Sequence, residues 1–424
     1  DQGRAIRGDS VARLPELLKE LEASCTSNGI EVHWAETGAE ANRIVLGILR
    51  KSGARALLKG KSMVSEEMGL NELLADEGIE PVETDLGELI IQLAGEAPSH
   101  IIAPAVHKDR FEIAELFRAR LPGAPAGEGI EDLTAAARAF MRERFRGMTA
   151  GLSGVNFAVA ETGTLCLVEN EGNGRLCTTL PDVHIAVMGI EKVIARLADL
   201  PPLLTLLTRS ATGQPITTYV NLISGPRRPG EKDGPRDVHL ILLDNGRSRI
   251  HADPELSATL RCIRCAACMN HCPVYTRLGG HAYGTVYPGP IGSILEPQLQ
   301  GLALRGELAE ASSLCGACAE VCPVRIPIPS LLNRLRFESV QGGDSSGVAG
   351  RGARRTAVQA RVWGLWSWIY GDPRRYRAFT RLATALRVLR PARLGPWTRT
   401  RKAPRPAPRD LHRLAREAGF DSAP

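Results

Sequence analysis

The 424-residue sequence lacks the short motifs of several common catalytic and nucleotide-binding sites. It has no HExxH zinc motif, no GxxxxGK[ST] phosphate loop and no dinucleotide-binding GxGxxG turn. It also lacks any apolar run near the ~20 residues that a membrane-spanning helix needs. The start, Asp1-Gln2-Gly3-Arg4, has neither a secretory-signal pattern nor an initiator Met. These absences predict a cytosolic protein with a truncated start, and peripheral contact with the inner face of the membrane stays open.

Neither sign of charge dominates the chain, whose formal net charge is +6. An apolar fraction of 43% and a charged fraction of 24% exclude wholesale disorder. Residues 341–424, however, hold 18 basic and 5 acidic residues, and three tryptophans lie between Arg361 and Tyr370. We expect linkers at 342–347 and 404–408. Because no nucleic-acid recognition motif is present, this tail is expected to dock on a partner subunit or to pack back on the chain.

A secreted disulfide framework is excluded as well, because seven of the ten cysteines crowd into 61 residues. Cysteines two or three residues apart converge on a metal more readily than they pair with each other. The first run is Cys262-x2-Cys265-x2-Cys268-x3-Cys272-Pro273, the spacing of a bacterial ferredoxin. Zinc sites favour two CxxC pairs about 15–20 residues apart. The run therefore predicts iron–sulfur chemistry in a reducing compartment.

The second run, Cys315-x2-Cys318-x3-Cys322-Pro323, has Ser312 where a leading cysteine would stand. In the crossed ligation of two-cluster ferredoxins, three thiolates of each run hold one cluster and the last serves the other. The expected ligands are Cys262, Cys265, Cys268 and Cys322 for cluster 1, and Cys272, Cys315 and Cys318 for cluster 2. Two 4Fe–4S clusters are expected, but cluster 2 is one thiolate short. A non-cysteine ligand, an open iron and a 3Fe–4S centre all stay open for it.

Two neighbouring clusters predict an electron relay, with a single structural cluster as the alternative. Composition and periodicity divide the chain into an α/β domain (1–245), a mainly helical two-cluster ferredoxin domain (246–340) and a basic helical C-terminal region (341–424). Helical spacing predicts a helix over Ser10–Ala23, and a short apolar run predicts a buried strand over His100–Ala103. Two β-type runs in Val155–Val168 predict a hairpin, and hence a mixed sheet.

Polar loops of the α/β domain supply candidate ligand-binding residues. Lys61 and Ser62 follow a predicted strand, at the position where open α/β sheets bind ligands, and a solvated loop is the alternative. Glu161 lies between two apolar runs and is the candidate catalytic residue. His184, taken alone, is more typical of a structural histidine. The complete candidate set is Lys61, Ser62, Asn156, Glu161, Thr162, Glu169, Asn170, Arg175 and His184.

On these motifs, the chain resembles the lactate utilization protein B family of bacterial iron–sulfur proteins. The resemblance runs through Lys61-Ser62-Met63, Asn156–Lys192, both cysteine runs, Gly279–Gly284 and Trp397–Arg401. It implies an α/β fold related to sugar isomerases and CoA transferases, and two clusters ligated as above. It also implies that the protein acts with two partner subunits to carry electrons from L-lactate as it becomes pyruvate. The first few dozen residues of the family have no counterpart in this chain.

Two function hypotheses follow from the sequence. In the first, the chain is an electron-transfer subunit of L-lactate oxidation that passes electrons to an acceptor of unknown identity. It would not act alone, because no flavin or nicotinamide site is recognisable. In the second, the α/β domain is a ligand-binding or acyl-transfer enzyme with Glu161 as its catalytic residue, and the clusters are structural or sensory.

Overall fold

The computed structural model describes residues 1–123, 127–341, 357–389, 393, 395–399, 402–403 and 407–420. The chain forms two compact units, residues 1–353 and 354–424. The first two predicted domains both lie in the first unit, and the three-domain division stays a prediction. The linker expected at 342–347 lies outside the described residues, as do residues 404–406 of the second expected linker.

The strands of the first unit form two sheets. Their bounds are β1 Glu31–Ala35, β2 Ala56–Lys59, β3 Glu80–Glu83, β4 Ala150–Gly154, β5 Phe157–Val159, β6 Thr164–Glu169, β7 Val183–Gly189, β8 Val193–Ile194, β9 Tyr219–Ile223 and β10 Asp237–Leu243. The larger sheet has the order β1-β10-β7-β4-β2-β3 and is parallel throughout. All its strands therefore end at one edge, which is where open α/β sheets bind ligands.

The smaller sheet has the order β8-β5-β6-β9 and contains antiparallel pairs. Strands β5 and β6 form the predicted hairpin, and Gly163 in its turn has a φ of +63°. A side chain there would also strike the backbone of Ser24 at 2.6 Å, so only glycine fits this turn. The mixed α/β architecture is thus confirmed, while its relation to sugar isomerases and CoA transferases stays a prediction.

Helices cover the sheets and form most of the cysteine-rich region. Their bounds in the first unit are α1 Gln2–Ala12, α2 Leu14–Ser27, α3 Gly38–Ser52, α4 Met63–Glu67, α5 Leu70–Asp76, α6 Leu86–Ala94, α7 Arg110–Arg120, α8 Ile130–Phe145, α9 Asn173–Thr179, α10 Leu200–Thr212, α11 Arg247–Ala252, α12 Ala267–Asn270, α13 Pro273–Leu278, α14 Gly289–Gln300, α15 Leu302–Arg305, α16 Ala317–Glu320 and α17 Ile328–Gln341. The second unit contains α18 Ala357–Tyr370, α19 Pro373–Ala385 and α20 Leu411–Glu417. Among the described residues, no helix is both long and apolar enough to cross a bilayer.

Two local predictions were wrong. The single helix expected over Ser10–Ala23 is two helices that break at Arg13, because Pro15 starts the first turn of α2. The strand expected at His100–Ala103 is a loop. There the Nδ1 atom of His100 accepts hydrogen bonds from the backbone amides of Ile102 and Ala103, both at 3.0 Å. These amides cannot also join a sheet ladder, so the side chain closes a turn instead.

One hydrophobic core joins the α/β part to the cysteine-rich region. It includes Met188 of β7 and Leu240 of β10, and also Leu260, Ile291 and Leu331 from beyond residue 245. A separate core fills the other face of the parallel sheet, beneath α3. The cysteine-rich region is therefore packed on the sheet rather than tethered to it.

Candidate functional site

Four of the seven clustered cysteines line one small cavity. They are Cys262, Cys265, Cys268 and Cys322. Its other walls are largely apolar, with side chains such as Ile101, Ile291 and Ile326. Thiols at these four positions also act on one another electrostatically, so the fold brings sulfurs from both runs to one place.

The remaining three cysteines form a second group. Cys318 is affected by the charges of Cys272 and Cys315. Cys272 and Cys318 are buried, whereas Cys315 is exposed. The two groups are those that crossed ligation requires, although the ligand assignment itself stays a prediction. The first group lies within an apolar cavity, with Cys265 and Cys322 buried and Cys262 and Cys268 partly exposed, whereas the second group reaches the surface through Cys315.

Backbone amides point at the sulfurs of both groups. The amide of Arg264 donates to the Sγ atom of Cys262 at 3.4 Å, and the amide of Ile326 donates to Cys322 at 3.4 Å. In the second group, the amide of Tyr275 donates to Cys272 at 3.5 Å. Arg264 has a φ of +62°, so the loop between the first cysteines is bent to present its amides inward. Such hydrogen bonds favour negative charge on sulfur.

The thiol groups fit iron–sulfur clusters by their chemistry. Burial raises the pKa of Cys265 to about 12 and that of Cys318 to about 11. Without a metal these sulfurs would be neutral thiols near pH 7, and metal binding would release their protons. Several soft sulfur donors behind apolar walls suit iron and sulfide rather than a hard cation.

Three buried cations lie near Cys262 of the first group. The charges of Arg7, Lys192 and Arg264 all act on Cys262. The guanidinium of Arg7, 1% exposed, donates to the backbone oxygens of Val193 and Leu260, both at 2.9 Å. Burial lowers the pKa of Lys192 to about 8, so the ammonium remains charged near pH 7. Positive charge beside Cys262 would stabilise bound thiolates.

Two buried glutamates tie these cations to the carboxyl edge of the sheet. Arg247 donates to both oxygens of Glu67, at 2.8 and 2.7 Å, and to Glu191 at 2.6 Å. Glu191 also pairs with Arg264 at 3.3 Å. Although burial alone would raise the pKa of Glu191, Arg247 and Arg264 lower it to about 2. The hydroxyl of Tyr287 donates to Glu67 at 2.7 Å, and the Arg264 guanidinium lies 4.6 Å from the Tyr287 ring centre.

A second charged site lies where β2 and β3 end. Lys59, 1% exposed, pairs with Glu83 at 2.5 Å and with Glu66 at 3.3 Å. The ammonium of Lys61 donates to the carbonyl of Ile102 at 2.6 Å and lies 3.8 Å from Glu88. Glu66, Glu83 and Glu88 line a cavity of about 860 Å³, and His281 and Arg305 line it from the cysteine-rich side. Of the predicted candidates, Lys61 and Ser62 belong to this region.

The candidates in the hairpin make local structural contacts. Asn156 accepts a hydrogen bond from the amide of Val168 at 2.8 Å and so joins the two hairpin strands. Glu161 is exposed and accepts from the amide of Leu197 at 2.9 Å. The hydroxyl of Thr162 donates to Thr164 at 2.8 Å.

The other candidates lie around α9 and in the core. Glu169 accepts from the amides of Gly174 and Arg175, at 2.7 and 2.6 Å, and thereby caps α9. The Asn170 side chain accepts from the amide of Thr218 at 3.0 Å, and the Arg175 side chain is exposed. His184 is fully buried, bonds to Ser153 at 2.8 Å and has a pKa lowered by burial to about 4. These contacts do not gather the predicted candidates into one site.

The sequence interpretation missed the buried charges Arg7, Lys59, Glu67, Glu191 and Arg247. Two of them could have been found, because Glu191 and Arg247 follow shortly after the apolar, strand-like runs His184–Met188 and Val238–Leu243, a position where open α/β sheets bind ligands. Arg7 and Glu67 lie on helices whose pattern gives no such signal.

In the second unit, α18 exposes its aromatic side chains. Trp363, Trp366 and Trp368 are each about half exposed. Trp366 stacks on Tyr370 with ring centres 4.6 Å apart, and Arg375 lies 4.7 Å from the Trp368 ring centre. The side chain of Trp397 lies outside the described residues. The aromatic cluster is thus held by contacts within this unit.

The sequence matches three protein families: the LUD domain over residues 18–243, the 4Fe-4S dicluster domain over 258–326 and the lactate utilisation protein B C-terminal region over 334–420. Lactate utilization protein B of Shouchella clausii is 42% identical over 412 residues, covering 95% of this chain and 84% of that one. The protein of the same name from Bacillus subtilis is 45% identical over 337 residues, covering 79% and 70%. An uncharacterized electron transport protein of Escherichia coli, YkgF, is 45% identical over 366 residues, covering 86% and 77%.

Proposed function

Since the chain belongs to the lactate utilization protein B family, we propose that it relays electrons through two iron–sulfur clusters while a multi-subunit system oxidises L-lactate to pyruvate. The observation that carries this proposal is the division of seven thiols into a group of four within an apolar cavity and a surface-reaching group of three. Bound iron–sulfur clusters supply one-electron transfer.

The residues around the first group prepare it to take up negative charge. Cys262, Cys265, Cys268 and Cys322 would hold cluster 1, and the other walls of their cavity are largely apolar. Amide donors and the buried cations beside Cys262 stabilise added negative charge there, which favours electron acceptance. Electrostatic preorganisation is therefore the role of this part of the chain.

The second cysteine group is better placed than the first to exchange electrons with another protein. Cys272, Cys315 and Cys318 would hold cluster 2, and the exposure of Cys315 brings it to the surface. A partner subunit or acceptor docking there could approach without unfolding the first group. The exposed tryptophans of α18 are a second surface suited to one of the two expected partner subunits.

Substitution of Cys268 by Ser tests the ligand assignment. We expect C268S to lose the iron of cluster 1 and to stop lactate-dependent electron flow in the complex reconstituted with its partner subunits. The matched control is C25S, because Cys25 is a buried cysteine outside both groups whose Sγ atom bonds to the Gly163 carbonyl. Unchanged iron content in C268S, measured anaerobically, would contradict the assignment.

The enzyme hypothesis is tested at Glu161. A relay predicts that E161Q keeps electron flow within about twofold of wild type, because among the described residues this exposed side chain hydrogen-bonds only to the Leu197 amide. Dithionite titration followed by EPR should show two reducible centres in both proteins. Loss of activity in E161Q together with redox-silent clusters would favour the ligand-binding or acyl-transfer enzyme.

A further inference from the structure

Two histidines and a glutamate meet on one face of the parallel sheet, outside the cysteine groups. Strands β1 and β10 pair in a register that places Glu31 directly beside His239. Side chains two residues apart on a strand share a face, so His33 lies on the same face as Glu31. One ligand atom from each of the three residues lies within 4.8 Å of the others.

The separations of these ligand atoms suit a tetrahedral metal ion. The Nε2 atom of His33 lies 3.1 Å from the Nδ1 atom of His239. The Oε2 atom of Glu31 lies 3.3 Å from that Nδ1 atom, and its Oε1 atom lies 3.7 Å from that Nε2 atom. With metal–ligand bonds of about 2.0–2.2 Å, the edge of a regular tetrahedron is about 3.3–3.6 Å. The three donors therefore span one face of such a tetrahedron with small adjustments.

The electrostatics also suit a divalent ion. A neutral imidazole has one ring nitrogen with a lone pair for a metal, and the Nε2 atom of His33 and the Nδ1 atom of His239 face each other here. Glu31 supplies negative charge, and the charge of Asp237 also acts on His239, opposed by that of Lys51. Because β1 is an edge strand and the Glu31 side chain is 61% exposed, a fourth position remains accessible to solvent.

We propose that Glu31, His33 and His239 bind one divalent transition-metal ion, for which Zn²⁺ has the best-matched geometry, with water as the fourth ligand. Two imidazoles and one carboxylate are a donor set that zinc accepts. The ion would connect the edge strand β1 to β10 through side chains of both strands, in addition to the backbone hydrogen bonds that already pair them. The proposal is independent of the electron-relay function, because it uses none of the clustered cysteines.

A second group of the same residue types provides the matched control. Among the described residues, Glu96, His107 and His281 also come within 4.8 Å of one another. There, however, the Lys108 ammonium lies 2.6 Å from the Glu96 carboxylate and already neutralises it. The Nε2 atom of His281 also contacts the carbonyl of Ala97 at 2.7 Å. This group is therefore the weaker candidate for a metal ion.

The test is titration of Zn²⁺ into anaerobic, full-length protein whose clusters are assembled, so that the clustered thiols are occupied. Calorimetry should show a zinc site that E31Q and H33N each weaken at least tenfold, while H281N leaves it unchanged. E31Q changes a mostly exposed side chain, and its thermal melting point without zinc verifies folding. Absence of zinc binding by the wild type, wild-type affinity in both E31Q and H33N, or a loss confined to H281N would overturn the proposal.

Discussion

Substitution of Arg247 by Met tests the buried charge network between the sheet and Cys262. The Arg247 side chain is fully buried and provides three hydrogen bonds to Glu67 and Glu191, whose side chains are 6% and 2% exposed. Methionine fills part of the same volume without charge, so R247M leaves two buried carboxylates without their shared partner. Breaking a buried ion pair in this way costs about 3–5 kcal/mol.

The lowered pKa of Glu191 predicts a similar energetic cost for R247M. Its shift from 4.5 to about 2 corresponds to roughly 3 kcal/mol at about 1.4 kcal/mol per pH unit. A depressed carboxylate pKa stabilises the fold above the unfolded pKa, and this contribution is lost as the pH falls through about 2. An assay at pH 7 therefore measures all of it. Arg264 supplies part of the shift, so we expect about 3 kcal/mol for R247M.

Native-state hydrogen exchange is the suitable assay, because it reports local opening without assuming two-state unfolding. In R247M, the backbone amide hydrogens of β7 and α11 should exchange with solvent roughly a hundredfold faster than in the wild type. The surface variant R13M removes exposed ion pairs with Asp9 and Glu16, which solvent screens, so it should leave this exchange near the wild-type rate. Adding E67Q and E191Q to R247M should recover part of the protection. A change below fivefold in R247M would refute the reasoning.

Two further predictions concern single buried titratable side chains. Burial raises the pKa of Glu88 from 4.5 to about 8. The unfolding free energy should therefore fall as the pH rises from about 4.5 to about 8. E88Q should remove this fall, on the order of a few kcal/mol, and an unchanged pH dependence of α6 hydrogen exchange would contradict it. K192M removes a cation that acts on Cys262 and should lower the midpoint potential of cluster 1 in an EPR redox titration. The exposed variant K19M should leave that potential unchanged, and an equal shift in both would contradict a local effect.

The sequence by itself determined the features that depend on spacing along the chain. Cysteines two and three residues apart specify a cluster-binding loop, because a loop that short presents its sulfurs to one metal centre. The hairpin of β5 and β6 could also be predicted from the sequence, because two β-type runs on either side of a Gly-containing turn pair with each other locally. The loop at His100 was misread because its side chain, which no periodicity reveals, takes the backbone amides of Ile102 and Ala103.

Only the tertiary structure decided which distant residues meet. Arg7 and Leu260 are in contact although 253 positions separate them, and the pairing of β1 with β10 brings Glu31 to His239. Such contacts depend on strand order and on the packing of the cysteine-rich region over the sheet, which the local pattern of side chains does not encode. Buried charges are tolerated only where their partners are in place. The charged surroundings of Cys262 are therefore a property of the assembled fold, whereas the cysteine spacing is a property of the chain.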